Sequence, residues 1–219
     1  DGNLLTNGVW SYVWDGENRL SAAYSNSVCA VSNAYDHAHR RVLKVTPTTT
    51  CTYLYDGWNL IQETVQTSQS TVTNRFLWGR DLSGSLQGAG GIGGLLAVSK
   101  DGAWYFPLFD NNGNVTAYVD ESGSIVAEYA YDAFGRTITA TGPLADAFPH
   151  RFSTKYFDAE SGLYYYGYRY YSPNLMRWMC RDPIGEQGGA NVFAFLANGP
   201  VDQVDAAGLI AYVVCGPDI

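Results

Sequence analysis

One short unit recurs along this chain and limits what it can fold into: an aromatic residue, an aspartate, a turn with glycine or asparagine, then an apolar stretch. It stands at WDGENRL (14–20), YDHAHRRV (35–42), YDGWNLI (55–61), FDNNGNV (109–115) and YDAFGRTI (131–138), with weaker copies at DGNLL (1–5) and VDESGSIV (119–126). Asp15, Asp36 and Asp56 are spaced by 21 and 20 residues, and Asp110 and Asp132 by 22. A period of that size marks a repeat architecture. Within each unit Asp or Asn closes the turn through its own side-chain oxygen, and Gly takes the positive-φ position. The flanks alternate, as in VTAYVD (115–120) and IVAEYAYD (125–132), which sets apolar groups on one face at period two. A single hairpin of this kind buries little, and stacking many supplies a core. The expected fold is all-β: hairpins joined into one curved, mostly antiparallel sheet.

Composition agrees with that reading. Seventeen tyrosines and 24 glycines against two methionines favour strands and turns over helix, and a hydrophobic fraction of 46% excludes a disordered chain. No long amphipathic helix can be traced before residue 185, so any helix is expected to be short and to lie between Gly189 and Asn198. Thirteen Lys and Arg against 21 Asp and Glu leave a net charge of −8, which argues against a nucleic-acid partner. No run of 18 apolar residues exists to span a membrane. The chain opens on DGNLL with no signal peptide, and reads as the middle of something longer.

Three features invite a sharper reading and lose it in context. GAGGIGG (88–94) fits GxGxxG through Gly88, Gly90 and Gly93. A dinucleotide site, however, needs a strand before and a helix after, and the following LLAVSKDGAWYFPLFD reads as strand, turn, strand. A packed or flexible loop between hairpins is the plainer account, and no cofactor is expected. His37 and His39 alternate like metal ligands but have no third ligand nearby and lie in a repeat turn, so no metal is expected either; His150 reads as structural. Cys29, Cys51, Cys180 and Cys215 form no CxxC pair. Cys29 and Cys51 could face each other on neighbouring strands as a disulfide, the alternative being two small buried side chains.

The repeats, together with FSTKYFDAESGLYYYGYRYYSPNLMRWMCRDPIG (152–185), resemble the RHS, or YD-repeat, family. Phe152 to Leu209 is similar to that family's RHS repeat-associated core, through the aromatic run YYYGYRYYSP, the RDPIG element and NxPVxxVDxxGL over some 58 positions. WGRDLSGSLQGAGGIGGLLA (78–97) also resembles a form common in its bacterial members. The resemblance implies a β-sheet spiralled into a hollow shell, as in toxin-complex cocoons and teneurins, with the core closing one end. It divides the chain into repeat hairpins at 1–151, the core at 152–209 and a truncated variable tail at 210–219. It implies as partners the upstream repeats of a longer chain, an encapsulated C-terminal toxin and a secretion apparatus, and a secreted or cell-surface bacterial setting.

The family also implies an aspartic-protease-like site that cuts after the Leu of a DPxGL motif. Carried onto these residues, the pair is Asp182, with Arg181 beside it, and Asp205, and the bond at risk is Leu209–Ile210. Two close carboxylates can share one proton, so that one activates water while the other protonates the amide. The bottom-up alternative is that RDPIG is simply a turn in which Asp caps, Pro fixes φ and Gly closes, with Arg181 neutralising Asp182. Two positions depart from the family pattern. Ala206 stands where Pro is usual, which frees the backbone of the cleavage segment, and Glu186 stands where an apolar residue is common. The ten residues after Leu209 are too few for a toxin domain, so the chain reads as a truncated piece, a degenerate gene end or a shell fragment whose payload is absent. The competing functional reading is a purely structural or adhesive, glycan-binding module, in which the tyrosine rows are packed or exposed accordingly.

Overall fold

The computed structural model describes residues 2–209 and the strand backbone at 211–213. Thirteen strands form one antiparallel sheet in strict sequence order: β1 (Thr6–Asn7), β2 (Trp10–Trp14), β3 (Leu20–Ser25), β4 (Val28–Tyr35), β5 (Arg41–Val45), β6 (Thr50–Asp56), β7 (Asn59–Gln66), β8 (Thr71–Trp78), β9 (Leu95–Lys100), β10 (Ala103–Phe109), β11 (Val115–Asp120), β12 (Ile125–Tyr131) and β13 (Thr137–Thr141). β1 and β13 do not pair with each other, so the sheet is open and its topology is a plain meander.

Four of the repeat aspartates, Asp15, Asp36, Asp110 and Asp132, build their turns in one way, whereas Asp120 Oδ1 takes Ser122 and Ser124. Asp15 Oδ1 accepts the N–H groups of Glu17 (2.9 Å) and Arg19 (3.0 Å), and its Oδ2 accepts from Arg19 Nε at 2.7 Å. Asp36 does the same with Ala38 and Arg40, and Asp132 with Phe134 and Arg136. Asp110 substitutes Asn114 for the arginine. One carboxylate oxygen thus satisfies two turn amides, and the other takes the residue four positions on. This is why aspartate and a basic or amide residue recur at that spacing.

The chain then folds back over one face of the sheet. β14 (Tyr156–Asp158), β15 (Leu163–Tyr165), β16 (Tyr170–Ser172) and β17 (Arg177–Trp178) make a four-stranded meander, and β18 (Gln203–Asp205) pairs with β19 (Ala211–Val213). Strand alternation sorts the tyrosines. Tyr165 and Tyr170 pair across β15 and β16 and join Tyr12, Val31, Tyr53, Phe76, Val98 and Tyr118 in the main core between meander and sheet. Tyr164 and Tyr171 pair on the opposite face and pack with Trp178, Phe195 and Phe152 in a second core, where the Tyr171 and Phe195 rings stack at 3.8 Å. Buried charge fastens the two layers. Arg41 in β5 pairs with Asp158 in β14, and Lys44 bridges Asp158 (3.2 Å) and Glu160 (3.1 Å).

Of the 3-10 turns among the described residues, Leu196–Asn198 falls where helix was expected, between Gly189 and Asn198, whereas Phe152–Thr154 and Gly185–Gly188 lie outside that window and correct the expectation. The disulfide expectation is corrected. β5 lies between β4 and β6, so Cys29 and Cys51 are not on neighbouring strands, and both thiols are free. Cys215 lies outside the described residues.

Candidate functional site

Asp182 and Asp205 come from two turns that the folded-back segment brings together. Asp182 opens the RDPIG turn: its N–H donates to the Val192 carbonyl at 3.0 Å, and its Oδ1 accepts the Ile184 N–H at 3.0 Å. Asp205 ends β18, and its Oδ1 accepts the N–H groups of Ala207 (3.2 Å), Gly208 (2.7 Å) and Leu209 (2.9 Å). Both are turn aspartates of the repeat type. What differs is the residue four positions on: Glu186 and Leu209 stand where the repeats place Arg or Asn, so neither local chain claims Oδ2.

Both Oδ2 atoms turn to Arg169, the arginine inside the tyrosine run. Its Nη2 lies 2.8 Å from Asp182 Oδ2 and 3.4 Å from Asp205 Oδ2. All three side chains are under 5% exposed. The guanidinium sits 4.1 Å over the Trp178 ring, and its Nε donates to the Gly208 carbonyl. Two carboxylates and one guanidinium carry a net charge of −1 when fully ionised, and burial favours neutralising it with one proton. Burial accordingly raises the Asp205 carboxyl above the ordinary range, although Arg169 and the three turn amides pull the other way. Burial also lowers the Arg169 guanidinium, with Asp205 and Asp182 opposing.

Leu209 borders both aspartates. Its N–H donates to Asp205 Oδ1 at 2.9 Å, and its carbonyl oxygen and Asp182 Oδ2 flank the same space at Gly188. A Cβ on Gly188 would stand 2.6 Å from Asp182 Oδ2 and 3.0 Å from the Leu209 oxygen. Glycine at 188 therefore keeps open the space that both atoms border. Ile210 lies outside the described residues. Arg181, expected beside Asp182, is exposed, and its Cγ and Cδ stand 3.0 and 3.1 Å from where a Gly2 Cβ would be; the guanidinium in the site is Arg169. Arg169, Gly188 and Lys155 are the residues that sequence reasoning passed over. The signal for Arg169 was a lone cation inside YYYGYRYY, where burial demands a counter-ion.

Lys155 is buried nearby. Its Nζ donates to the carbonyls of Ala206 (2.6 Å) and Gly90 (2.8 Å), and burial pushes its ammonium down to about 8 against the pull of Asp205 and Asp81. His150 packs edge-on to Phe76 at 4.8 Å and is driven by burial, then by Lys155, down to about 3, so it stays neutral. His37 is exposed and His39 half-buried in their repeat turn. Among the described residues, no three His, Cys, Asp or Glu side chains are grouped to hold a metal, and no helix is long and apolar enough to cross a membrane.

Residues 1–188 match the teneurin YD-shell family. The chain is 30% identical over 223 residues to the tRNA3(Ser)-specific nuclease WapA of Bacillus spizizenii, covering 98% of this chain and 9% of that protein. It is 47% identical over 66 residues to toxin protein Tse5 of Pseudomonas aeruginosa, covering 30% of this chain and 5% of the relative. The crystal structure of TcdB2-TccC3 superposes on 94% of this chain and 11% of its own, with a TM-score of 0.74 at 24% identity, a likeness of fold. The chain therefore spans about a tenth or less of these three proteins.

Proposed function

The chain belongs to the teneurin YD-shell family, the shell module of RHS-type toxins, and on that premise we propose that it forms wall and closure of a shell around a C-terminal toxin. We infer further that Asp182 and Asp205 free that toxin by hydrolysing the Leu209–Ile210 bond. In this reading residues 1–151 are wall, 152–209 closure and 210 onwards the released chain. The partners are the upstream repeats, the enclosed toxin and a secretion apparatus, in a secreted or cell-surface setting.

The observation that carries the proposal is the meeting of two buried carboxylates at one Arg169 nitrogen, with Leu209 bordering both. Asp205, whose carboxyl burial raises, serves as acid, and Asp182, in the shorter ion pair, serves as base. Water adds to the Leu209 carbonyl carbon and gives a proton to Asp182. The C–N bond to Ile210 breaks, and the departing nitrogen takes the proton of Asp205. Arg169 supplies a fixed positive charge to this rearrangement. Each chain performs the step once. The adhesive alternative loses support from the tyrosine run, in which Tyr164, Tyr165, Tyr166, Tyr170 and Tyr171 are buried.

Asp182→Asn and Asp205→Asn each keep shape and most hydrogen bonds while removing acid–base exchange. Intact-mass analysis is expected to find the segment after Leu209 released from the parent and retained by both variants. Release unchanged in either variant, or a parent that stays whole between mildly acidic and neutral pH, would leave the site a pair of turn caps.

A further inference from the structure

The glycine-rich stretch 88–94 lies directly against the cleavage segment. Gly90 runs at φ +63°, and a Cβ there would stand 1.8 Å from the Ala206 carbonyl oxygen and 2.5 Å from its carbon. Only glycine lets these two backbones approach so closely. Lys155 Nζ bridges the same two residues through their carbonyls. From behind, Asp81 Oδ2 accepts the N–H groups of Ala89 (2.8 Å) and Gly91 (3.0 Å) and fixes the loop's path. Ala89 and Ile92 bury themselves against Val204, the residue before Asp205, and the Gly93 N–H donates to Thr154 Oγ1 at 2.8 Å. The segment 204–209 is thus held at its start by the loop and at its end by Asp205 on the Leu209 N–H.

We propose that the glycine-rich loop and Lys155 form a seat that positions the scissile segment for Asp182 and Asp205, with Gly90 and Lys155 as positioning residues. The proposal rests on the cleavage reading above and adds to it what sets the bond's place. Hydrolysis by a fixed acid–base pair is sensitive to such placement: a shift of about 1 Å can cost on the order of a hundredfold in rate. Ala206, which lacks the backbone restraint of proline, is held from outside by these contacts.

The turn that precedes the loop supplies a control. Gly84 runs at φ +74°, yet a Cβ there would meet nothing within 4 Å. Gly84→Ala therefore carries the same backbone penalty as Gly90→Ala without the collision. The full chain is followed by intact mass for release, and the Asp182→Asn chain, which stays joined, by amide hydrogen exchange over 204–209. Gly90→Ala is expected to slow release about a hundredfold or more and to deprotect the Gly208 and Leu209 amides. Lys155→Met, which leaves two carbonyls without their donor, is expected to slow release about tenfold. Gly84→Ala should match the parent in both measurements. Release and protection in Gly90→Ala equal to those of Gly84→Ala would overturn the seat while leaving the cleavage reading intact. Loss of protection in Gly90→Ala and Lys155→Met alone, in a parent that never cuts itself, would uphold the seat and sink the cleavage reading.

Discussion

Replacing Arg169 with methionine tests the electrostatic centre of the site most directly. Methionine keeps an apolar side chain against Trp178 but leaves the Asp182 and Asp205 carboxylates, each about 4% exposed, with no cation between them. Stranding buried charge in this way costs about 3–5 kcal/mol at neutral pH. For a chain of this size that corresponds to a fall in Tm of roughly 10 °C. The cost must depend on pH, and its sign can be worked out. Without the guanidinium the burial that already raises Asp205 is less opposed, so its carboxyl binds a proton more tightly in the folded than in the unfolded chain, where its value is about 3.9. The variant's stability is then greatest below that value and is lost as pH rises through the raised folded value. The Tm gap between parent and Arg169→Met should therefore be small near pH 4 and full at pH 7.5, as read by calorimetry or near-UV circular dichroism. A gap below about 2 °C, or one equal at both pH values, would refute the claim that Arg169 neutralises the pair.

Two further outcomes follow from the other buried charges. Burial raises the Asp158 carboxyl, but Arg41 and Lys44 more than reverse this and leave it below the ordinary range. Its contribution is thus present above about pH 3.9 and lost as pH falls through the depressed value. Asp158→Asn should cost about 3–5 kcal/mol at pH 7 in urea denaturation, with the deficit shrinking under acid. Lys155, at about 8 when folded, has the same sense in a higher window: its contribution is complete above about pH 10.4 and is lost as pH falls through 8. Between pH 8 and 9.5 the parent should gain about 2 kcal/mol over Lys155→Met, a gain absent if Lys155 is hydrated.

The sheet was legible because its determinants are local. The carboxylates of Asp15, Asp36, Asp110 and Asp132 bond to amides and side chains within four residues, so their turns are written in the spacing itself. Period-two alternation likewise sorts Tyr164 and Tyr171 from Tyr165 and Tyr170. The contacts that complete the site are of another kind. Arg169 meets Asp205 36 residues away, and Lys155 meets Gly90 across 65. No periodicity marks such pairs. Arg181 drew attention as the neighbour of Asp182, but successive residues of an extended turn point apart, and the nearer cation in sequence became the farther one in space. GAGGIGG was read as a packed or flexible loop; it is packed, and its partner, Ala206, lay too far along the chain to be inferred.

The choice between turn cap and catalytic carboxylate dissolves once the two oxygens of each aspartate are considered separately. In four of the repeats, Oδ1 organises the turn and Oδ2 is claimed by Arg19, Arg40, Arg136 or Asn114, four positions on. Asp182 and Asp205 keep the first role, through Ile184 and through Ala207, Gly208 and Leu209. At their fourth positions stand Glu186 and Leu209, which offer Oδ2 no donor from a side chain. Each Oδ2 is therefore left for a partner from elsewhere, and both find the same nitrogen of Arg169. A repeat unit becomes a candidate reactive unit by losing one side-chain donor and being folded opposite a second unit that has lost its own. The turn still positions the carboxylate, so the rigidity that a catalytic group needs comes from the architecture of the wall. In Asp205 the same turn also grips the Leu209 amide, so the group proposed as acid holds the residue on whose far side the bond would break.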